Sequence, residues 1–239
     1  RKWIDEIRHR EIFVSEGKEV SFQHRSWQEY LTACVLEEEP LEHILELVYV
    51  VRKKASGFNP LWYQVLRFLC ERRLDLLDAI YQREEITGAR CTPLDADDKR
   101  RMRALSTIFS TYARQETGLP GSFGASRDIF NDRQTCVDLN PSGGARYLIE
   151  QYSNAAATFV VKYDGFGLLV SYAANGNAEA RAFVTSLIPA LLSRDEADWG
   201  QRELAAYAVS ELSLRQFVPQ LLSLYEVEKN KHVRRAILM

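Results

Sequence analysis

Residues 20–36, VSFQHRSWQEYLTACVL, contain the clearest candidate for chemistry in this sequence. His24, Arg25 and Ser26 follow an alternating, strand-like stretch and open a helical pattern. A helix N-terminus offers free backbone N–H groups and a positive dipole end, so two basic side chains beside it favour binding of an anion. A structural role fits the same residues, because Ser26 and Glu29 have the S-x-x-E spacing of a capping box. Taken alone, the residues favour the structural role, and the anion site is the alternative.

The elements that must position this stretch begin with a β-hairpin. A two-residue period runs over residues 12–15, with Ile12 and Val14 on one side, and over residues 20–23, with Val20 and Phe22 on one side. Gly17 lies between the two runs, where a tight turn needs such a residue. Helical spacing over residues 3–7 predicts a short helix before the hairpin. A helix followed by a two-stranded wing is typical of the end of a winged-helix unit.

Helical patterns occupy most of the next ninety residues. Apolar residues at three- and four-residue spacing predict helices after Ser26, from Pro40 to Val51, after the loop SGFNP, and over residues 74–80. The pattern loosens over residues 83–98, and a helix resumes over residues 99–115. Residues 118–145 are the least periodic and contain two Gly-rich clusters, which predicts a long loop or insertion.

The last hundred residues contain an internal repeat. LIPALLS at 187–193 aligns with FVPQLLS at 217–223, an offset of 30, and Arg202 aligns with Arg234, an offset of 32. Each unit then reads as helix, turn, helix, with a proline at the start of the second helix, where the missing N–H costs nothing. A period of this length made of amphipathic helices indicates an α-solenoid, and the pattern fits HEAT repeats best.

These patterns together predict an all-α fold with one short β-hairpin. The predicted order is the end of a winged-helix domain (1–25), a helical domain (26–117), an irregular loop or insertion (118–145) and HEAT-like helical repeats (146–239). The chain opens on Arg1 and closes on HVRRAILM within a helical pattern, so we expect a piece of a longer protein.

Composition and charge exclude some classes of function. Of the 239 residues, 46% are hydrophobic and 27% are charged, which is typical of a folded globular protein. A net charge of −2 argues against a surface built for nucleic acid or an anionic membrane, and no run of 18 apolar residues is long enough to span a bilayer. The four cysteines are widely spaced and have no metal-ligand pattern, which predicts reduced thiols and a cytoplasmic protein.

A resemblance to a known family changes the interpretation of the opening stretch. The pattern F-x-H-R-S-x-Q-E-Y-L-x-A resembles the closing motif of the winged-helix region in NACHT-type STAND signalling NTPases, the class of NOD-like receptors and bacterial antiphage proteins. Downstream, FNPLWYQVLRFLCERR is similar to a W-x-x-V-L-x-F-L segment of that class, and the resemblance covers residues 1–86. The matched positions are Phe22, His24, Arg25, Ser26, Gln28, Glu29, Tyr30, Leu31 and Ala33, then Trp62, Val65, Leu66, Phe68 and Leu69.

The resemblance implies a role for His24 in binding a cofactor. In that family the histidine at this position contacts the β-phosphate of ADP and holds the closed, inactive state, and exchange of ADP for ATP releases the winged helix. This chain has neither a G-x-x-x-x-G-K-[ST] loop nor a strand ending in paired acids for Mg²⁺. We therefore expect no catalytic activity, no cofactor and no metal site in this chain itself. ADP or ATP with Mg²⁺ would bind to a nucleotide-binding domain upstream of Arg1.

Three functions remain open at this point. The first is the regulatory and sensor portion of a NACHT-like NTPase in antiviral or antiphage immunity. Its repeats would recognise a protein trigger, and the protein would oligomerise on activation without a membrane or nucleic-acid partner. The second is a HEAT-type interaction scaffold that does not depend on nucleotide. The third is an enzyme with a site in the 118–145 loop. The basic run KRRMR at 99–103 is interpreted as a solvated helix face, neutralised by the adjacent DADD.

Overall fold

The chain forms two compact units, Arg1–Ala96 and Asp97–Met239. A computed structural model describes residues 13–16, 19–22, 25–52, 55–115, 131–193 and 199–238. Within these ranges the fold is all-α, with thirteen α-helices and two separate two-stranded hairpins. The predicted fold class, a helical-repeat protein with a short β-hairpin, is confirmed.

The first unit opens with the predicted hairpin. Strand β1 (Phe13–Glu16) pairs antiparallel with β2 (Glu19–Phe22), and the register runs from Phe13↔Phe22 to Glu16↔Glu19. Only two residues, Gly17 and Lys18, lie between the strands, the commonest length for a hairpin connection. The helix predicted over residues 3–7 lies outside the described residues.

Five helices follow in this unit. Helix α1 packs on α3, α3 on α4, and α4 on α5. Helices α1 to α4 turn apolar residues toward the shared interior. Ile44 and Val48 of α2, Leu66 and Leu69 of α3, and Ile80 of α4 are completely buried. The bounds are α1 Arg25–Leu36, α2 Leu41–Val48, α3 Tyr63–Cys70, α4 Leu74–Arg83 and α5 Glu85–Arg90.

The helix predicted from Pro40 to Val51 is too long. It ends at Val48, and β3 (Tyr49–Arg52) pairs with β4 (Ala55–Phe58) in a second hairpin. The run Tyr-Val-Val favours a strand, because β-branched and aromatic side chains fit a pleated surface better than a helix. The rings of Tyr49 and Phe58 meet across the pair with their centroids 6.2 Å apart. Val51 therefore belongs to a strand and not to the end of the predicted helix.

Helix α5 lies within the segment 83–98, where the sequence pattern loosens. It packs closely on α4, because a Cβ on Gly88 would lie 2.6 Å from Cγ and 2.9 Å from Cα of Tyr81. The Thr92 hydroxyl also lies 2.9 Å from the hydroxyl of Tyr81. Close packing, rather than amphipathic periodicity, holds this short helix.

The second unit is built around one buried helix. Ten residues of α9 are buried, including Phe166, Leu168 and Leu169, and α7, α8, α10 and α11 all pack against it. Beyond α9, helix α13 packs on α11 and on α12, and α8 packs on α10, which produces stacked helix pairs. The bounds are α6 Asp98–Gln115, α7 Asp132–Leu139, α8 Gly144–Ser153, α9 Phe159–Ala174, α10 Ala178–Leu191, α11 Trp199–Glu211, α12 Val218–Val227 and α13 Lys231–Ile237.

The prediction of an irregular segment over 118–145 is wrong for its second half, since α7 lies there. The Asn131 side chain accepts a hydrogen bond from the Gln134 N–H at 3.1 Å, which caps the start of α7, and Asn140 ends the helix in the left-handed conformation with φ 31°. Cys136 and Leu139 are completely buried. The sequence did not predict α7 because eight residues are too few to show the helical spacing of apolar residues. Residues 118–130 lie outside the described residues.

The two prolines of the internal repeat do not hold equivalent places. Pro219 is the second residue of α12, as predicted, whereas Pro189 lies inside α10, two residues before its end. The prediction that both prolines open a second helix is therefore wrong for Pro189. The two segments do meet, because the Gln220 side-chain amide donates a hydrogen bond to the Pro189 carbonyl at 3.1 Å. Arg202 and Arg234 lie in α11 and α13, which pack together.

Candidate functional site

Helix α1 begins at Arg25, the residue after His24 in the sequence. His24 itself lies outside the described residues, so the nucleotide contact assigned to it stays a prediction. Arg25 Nε donates to Glu29 Oε1 at 2.7 Å. Glu29 is thus paired with Arg25, and Ser26 lies inside the helix, so the predicted capping box at these two residues is wrong.

Tyr30 connects the motif helix to the rest of the first unit. Its ring meets the ring of Phe68 edge to face with the centroids 5.5 Å apart, and Trp27 approaches it at 6.4 Å. Its hydroxyl accepts a hydrogen bond from Arg72 Nη2 at 2.7 Å. The Arg72 guanidinium carbon lies 5.2 Å from the centroid of the same ring, within cation–π range. The two segments that resemble the family, around Tyr30 and around Phe68, therefore pack against each other.

Arg72 and Arg73 form hydrogen bonds with the C-terminal end of α1. Arg72 Nη1 donates to Glu37 Oε2 at 2.7 Å and to Cys34 Sγ at 3.3 Å, and these acceptors, Glu37 first, raise the pKa of Arg72. Arg73 Nη1 donates to the carbonyls of Glu37 at 3.0 Å and of Glu39 at 2.9 Å, just past the end of the helix. Neither role was predicted from the sequence. The adjacent pair of arginines after the W-x-x-V-L-x-F-L segment is the feature that could have indicated them.

One face of α1 is apolar and exposed. Trp27, Leu31 and Val35 follow each other at four-residue spacing and so line one side of the helix. Val35 is 72% exposed. The opposite side carries the buried Ala33. The motif helix thus presents an apolar stripe outward, next to the proposed phosphate-contacting residue in the sequence.

A second set of charged groups is buried in the other unit. Asp132 is completely buried and accepts a hydrogen bond from the Tyr112 hydroxyl. Arg133 lies against Gly167 of α9, where a Cβ would lie 2.9 Å from Nη1, and near the buried Asp164. Burial lowers the pKa of Arg133, and the charge of Asp164 opposes that shift. These enclosed groups link α6, α7 and α9, a structural role.

The basic run at 99–103 is partly as predicted. Arg100 pairs with Asp97, and Arg101 pairs with Asp98 at 3.0 Å, which neutralises these charges locally. Arg101 is not part of a solvated face, however, because its Nη1 also donates to the Leu139 carbonyl at 2.9 Å, at the C-terminal end of α7.

A pocket of about 270 Å³ lies in the last helix pairs, and we refer to it as the C-terminal pocket. Its walls come from the end of α11, the 3₁₀ turn Arg215–Phe217, the start of α12 and the end of α13. Most lining side chains are apolar, and Ser210, Ser213 and Arg215 supply the polar groups. Ser213 has φ 52°, an uncommon conformation for a residue other than glycine. No sequence motif marked this pocket.

Comparison of the chain with protein-family models, curated proteins and solved structures finds no match.

In the ranges that the structure describes, no three His, Cys, Asp or Glu side chains are grouped to hold a metal ion. None of the described helices combines the length and apolar character needed to cross a bilayer. Cys70, Cys91 and Cys136 are buried free thiols, as predicted, and Cys34 is half-buried.

Proposed function

We propose that this chain is the regulatory and sensor portion of a NACHT-like signal-transducing NTPase. In this proposal His24 contacts the β-phosphate of ADP and stabilises the inactive state. The helical repeats of the second unit recognise a trigger. ADP or ATP with Mg²⁺ binds to a nucleotide-binding domain supplied by the intact protein, because the phosphate-cradling loop is missing from this sequence.

The observation that carries the proposal is the packing of the two family-like segments. Tyr30 belongs to the first segment and Phe68 to the second, and their half-buried rings meet edge to face within one unit. Arg72, at the end of the second segment, donates to the Tyr30 hydroxyl. Two unrelated chance matches would have no reason to form one aromatic and cationic cluster.

Two other features support the proposal. The β1–β2 hairpin precedes the motif helix by two residues, in the order that the end of a winged-helix domain requires. The apolar stripe of Trp27, Leu31 and Val35 offers the contact surface that a neighbouring nucleotide-binding domain needs. Exchange of ADP for ATP would then act as a switch, because the added γ-phosphate changes what His24 contacts. That change favours one of two arrangements of the winged-helix and nucleotide-binding domains.

The test is His24→Ala in the intact protein. We expect the variant to retain less ADP through purification and to signal more strongly without a trigger. Nucleotide content is measured by chromatography after heat release, and the matched control is Arg25→Ala. Arg25 is paired with Glu29, and its side chain is 68% exposed, so its removal should change ADP content less. Equal ADP content in wild type and His24→Ala would contradict the proposal.

A HEAT-type scaffold without nucleotide dependence is the second candidate, and the C-terminal pocket favours it. A pocket in stacked helices can bind a partner whatever precedes it in the chain. An intact protein that purifies free of nucleotide, and binds its partner equally with ADP and ATP, would make this the better description.

A further inference from the structure

We infer that the C-terminal pocket is a docking site for an acidic amphipathic helix that inserts an apolar side chain. The inference deepens the sensor half of the proposed function, on which it rests, by naming the chemistry of the trigger. It commits to a protein partner, and a second copy of this chain or an anionic lipid surface are outcomes that the test distinguishes.

The pocket is large enough to enclose a peptide side chain. Its volume of about 270 Å³ lies near the lower limit of the roughly 300–1,000 Å³ that is usual for small-molecule sites. Val209, Leu214 and Leu221 form a buried floor, and Ala236 and Ile237 of α13 close one side. One or two aliphatic or aromatic side chains can be enclosed there, as in complexes in which a helix lies in a groove.

The apolar surface continues outside the pocket. Val218 and Leu222 are exposed, and they are four residues apart on α12, so they share one face at the pocket rim. Leu222 is 60% exposed. An apolar floor joined to an exposed apolar rim matches an amphipathic helix, whose buried face repeats at the same spacing.

The polar groups of the pocket select an acid. Ser210, Ser213 and Arg215 all line it, and Arg215 is exposed. Within the described residues, no carboxylate forms an ion pair with the Arg215 guanidinium. A guanidinium beside two hydroxyls matches the acceptors of a carboxylate.

The charge of the surrounding segment has the same sign. Residues 210–238 contain five lysines and arginines and three glutamates, a net charge of +2, whereas the whole chain has −2. Of the three glutamates, Glu228 is already paired with Arg202. The net charge of this segment therefore favours acidic partners over basic ones.

The experiment measures binding of labelled helical peptides to the 239-residue chain by fluorescence anisotropy. The probe is a designed peptide of about 18 residues, long enough to form a helix, with leucines on one face and glutamates beside them. One comparison peptide carries lysine in place of glutamate, and another carries serine in place of leucine. We expect only the acidic leucine peptide to bind, at least about tenfold more tightly than either comparison, and more weakly as salt increases.

Variants of the chain locate the site. Leu222→Ser and Arg215→Glu should each weaken binding at least about tenfold, the effect of removing a central contact. Val227→Ser, at an exposed apolar position on the same helix, should stay within about twofold, the scale of energetically near-neutral contacts. Lys231→Glu makes the same charge change outside the pocket, so it should weaken binding less than Arg215→Glu and lose its effect at high salt. Circular dichroism shows whether each variant folds.

Several outcomes overturn the inference. They are equal binding of the glutamate and lysine peptides, equal binding by wild type and both pocket variants, binding to anionic vesicles in preference to the acidic peptide, or a dimer that Leu222→Ser dissociates. The assay contains no nucleotide, so failure here leaves the ADP test of His24→Ala untouched. Conversely, if the peptide binds but His24→Ala does not change the ADP content, the docking site is retained and the protein is better described as a HEAT-type scaffold.

Discussion

Replacing Glu228 with alanine tests how the last helix pair is held together. Glu228 is 6% exposed and lies at the end of α12, three residues before the first residue of α13. Its Oε1 accepts hydrogen bonds from the N–H of Lys229 at 2.9 Å and of Asn230 at 2.8 Å, and its Oε2 accepts one from Arg202 Nε of α11 at 2.9 Å. One carboxylate therefore joins α11 to the start of α13, the helix that brings Ala236 and Ile237 to the C-terminal pocket.

The expected loss follows from these three bonds. Removing one partner of a buried ion pair costs about 3–5 kcal/mol, and a buried N–H left without an acceptor costs about 1–3 kcal/mol. Lys229 is exposed, so water can replace part of what its N–H loses. We therefore expect Glu228→Ala to lower the free energy of unfolding of the second unit by about 4 kcal/mol, the sum of the lower limits for the ion pair and for the Asn230 N–H.

Urea denaturation measures the loss, and hydrogen exchange of the α13 amides locates it. Trp199 of α11 provides a local fluorescence signal, because its ring centroid lies 5.6 Å from that of His232 in α13. The matched control is Glu226→Ala, an exposed glutamate of α12 whose removal should change stability by less than about 0.5 kcal/mol. If Glu228→Ala falls within the same limit, the bridging role assigned to Glu228 is refuted.

The stability provided by Glu228 should depend on pH in one direction. Burial acts to raise its pKa, but the hydrogen bonds from Asn230, Arg202 and Lys229 together outweigh burial, and the pKa is lowered. A carboxyl group whose pKa is lower in the folded state contributes fully above its unfolded pKa, about 4.3, and loses that contribution as pH falls through the folded value. The difference between wild type and Glu228→Ala should therefore be largest near neutral pH and should narrow below about pH 4.

Two other predictions concern packing. Gly88→Ala should destabilise the first unit by about 1–3 kcal/mol in urea denaturation, less any gain in helix propensity, because the added Cβ would overlap Tyr81. The control is Gly57→Ala, where the added Cβ meets nothing within 4 Å. Equal effects of the two substitutions would contradict the close packing of α5 on α4. Native alkylation with iodoacetamide, read by mass spectrometry, should modify Cys34 well before the buried cysteines, since burial raises the pKa of Cys136 and the hydrogen bond with Cys91 raises that of Cys70. Labelling of Cys136 as fast as Cys34 would show that α7 is not packed as described.

Local patterns were enough to predict most elements. Alternation over residues 12–22 predicted the first hairpin, and apolar spacing predicted α3, α4 and α6. The second hairpin was missed because Leu45, Val48 and Val51 continue a helical spacing through Tyr49. A short apolar run satisfies both periods, and only pairing with residues 55–58 decides between them.

The sequence by itself determined the helical class, the hairpin at its start and the family-like motif at residues 22–33, because each depends on spacings within a dozen residues. Only the tertiary structure decided which of these residues meet. Arg72 bonds to Tyr30 across 42 residues, and the C-terminal pocket combines residues of three helices and a 3₁₀ turn. Such contacts depend on how whole helices pack, and side-chain spacing along one segment carries no information about a partner that lies in another.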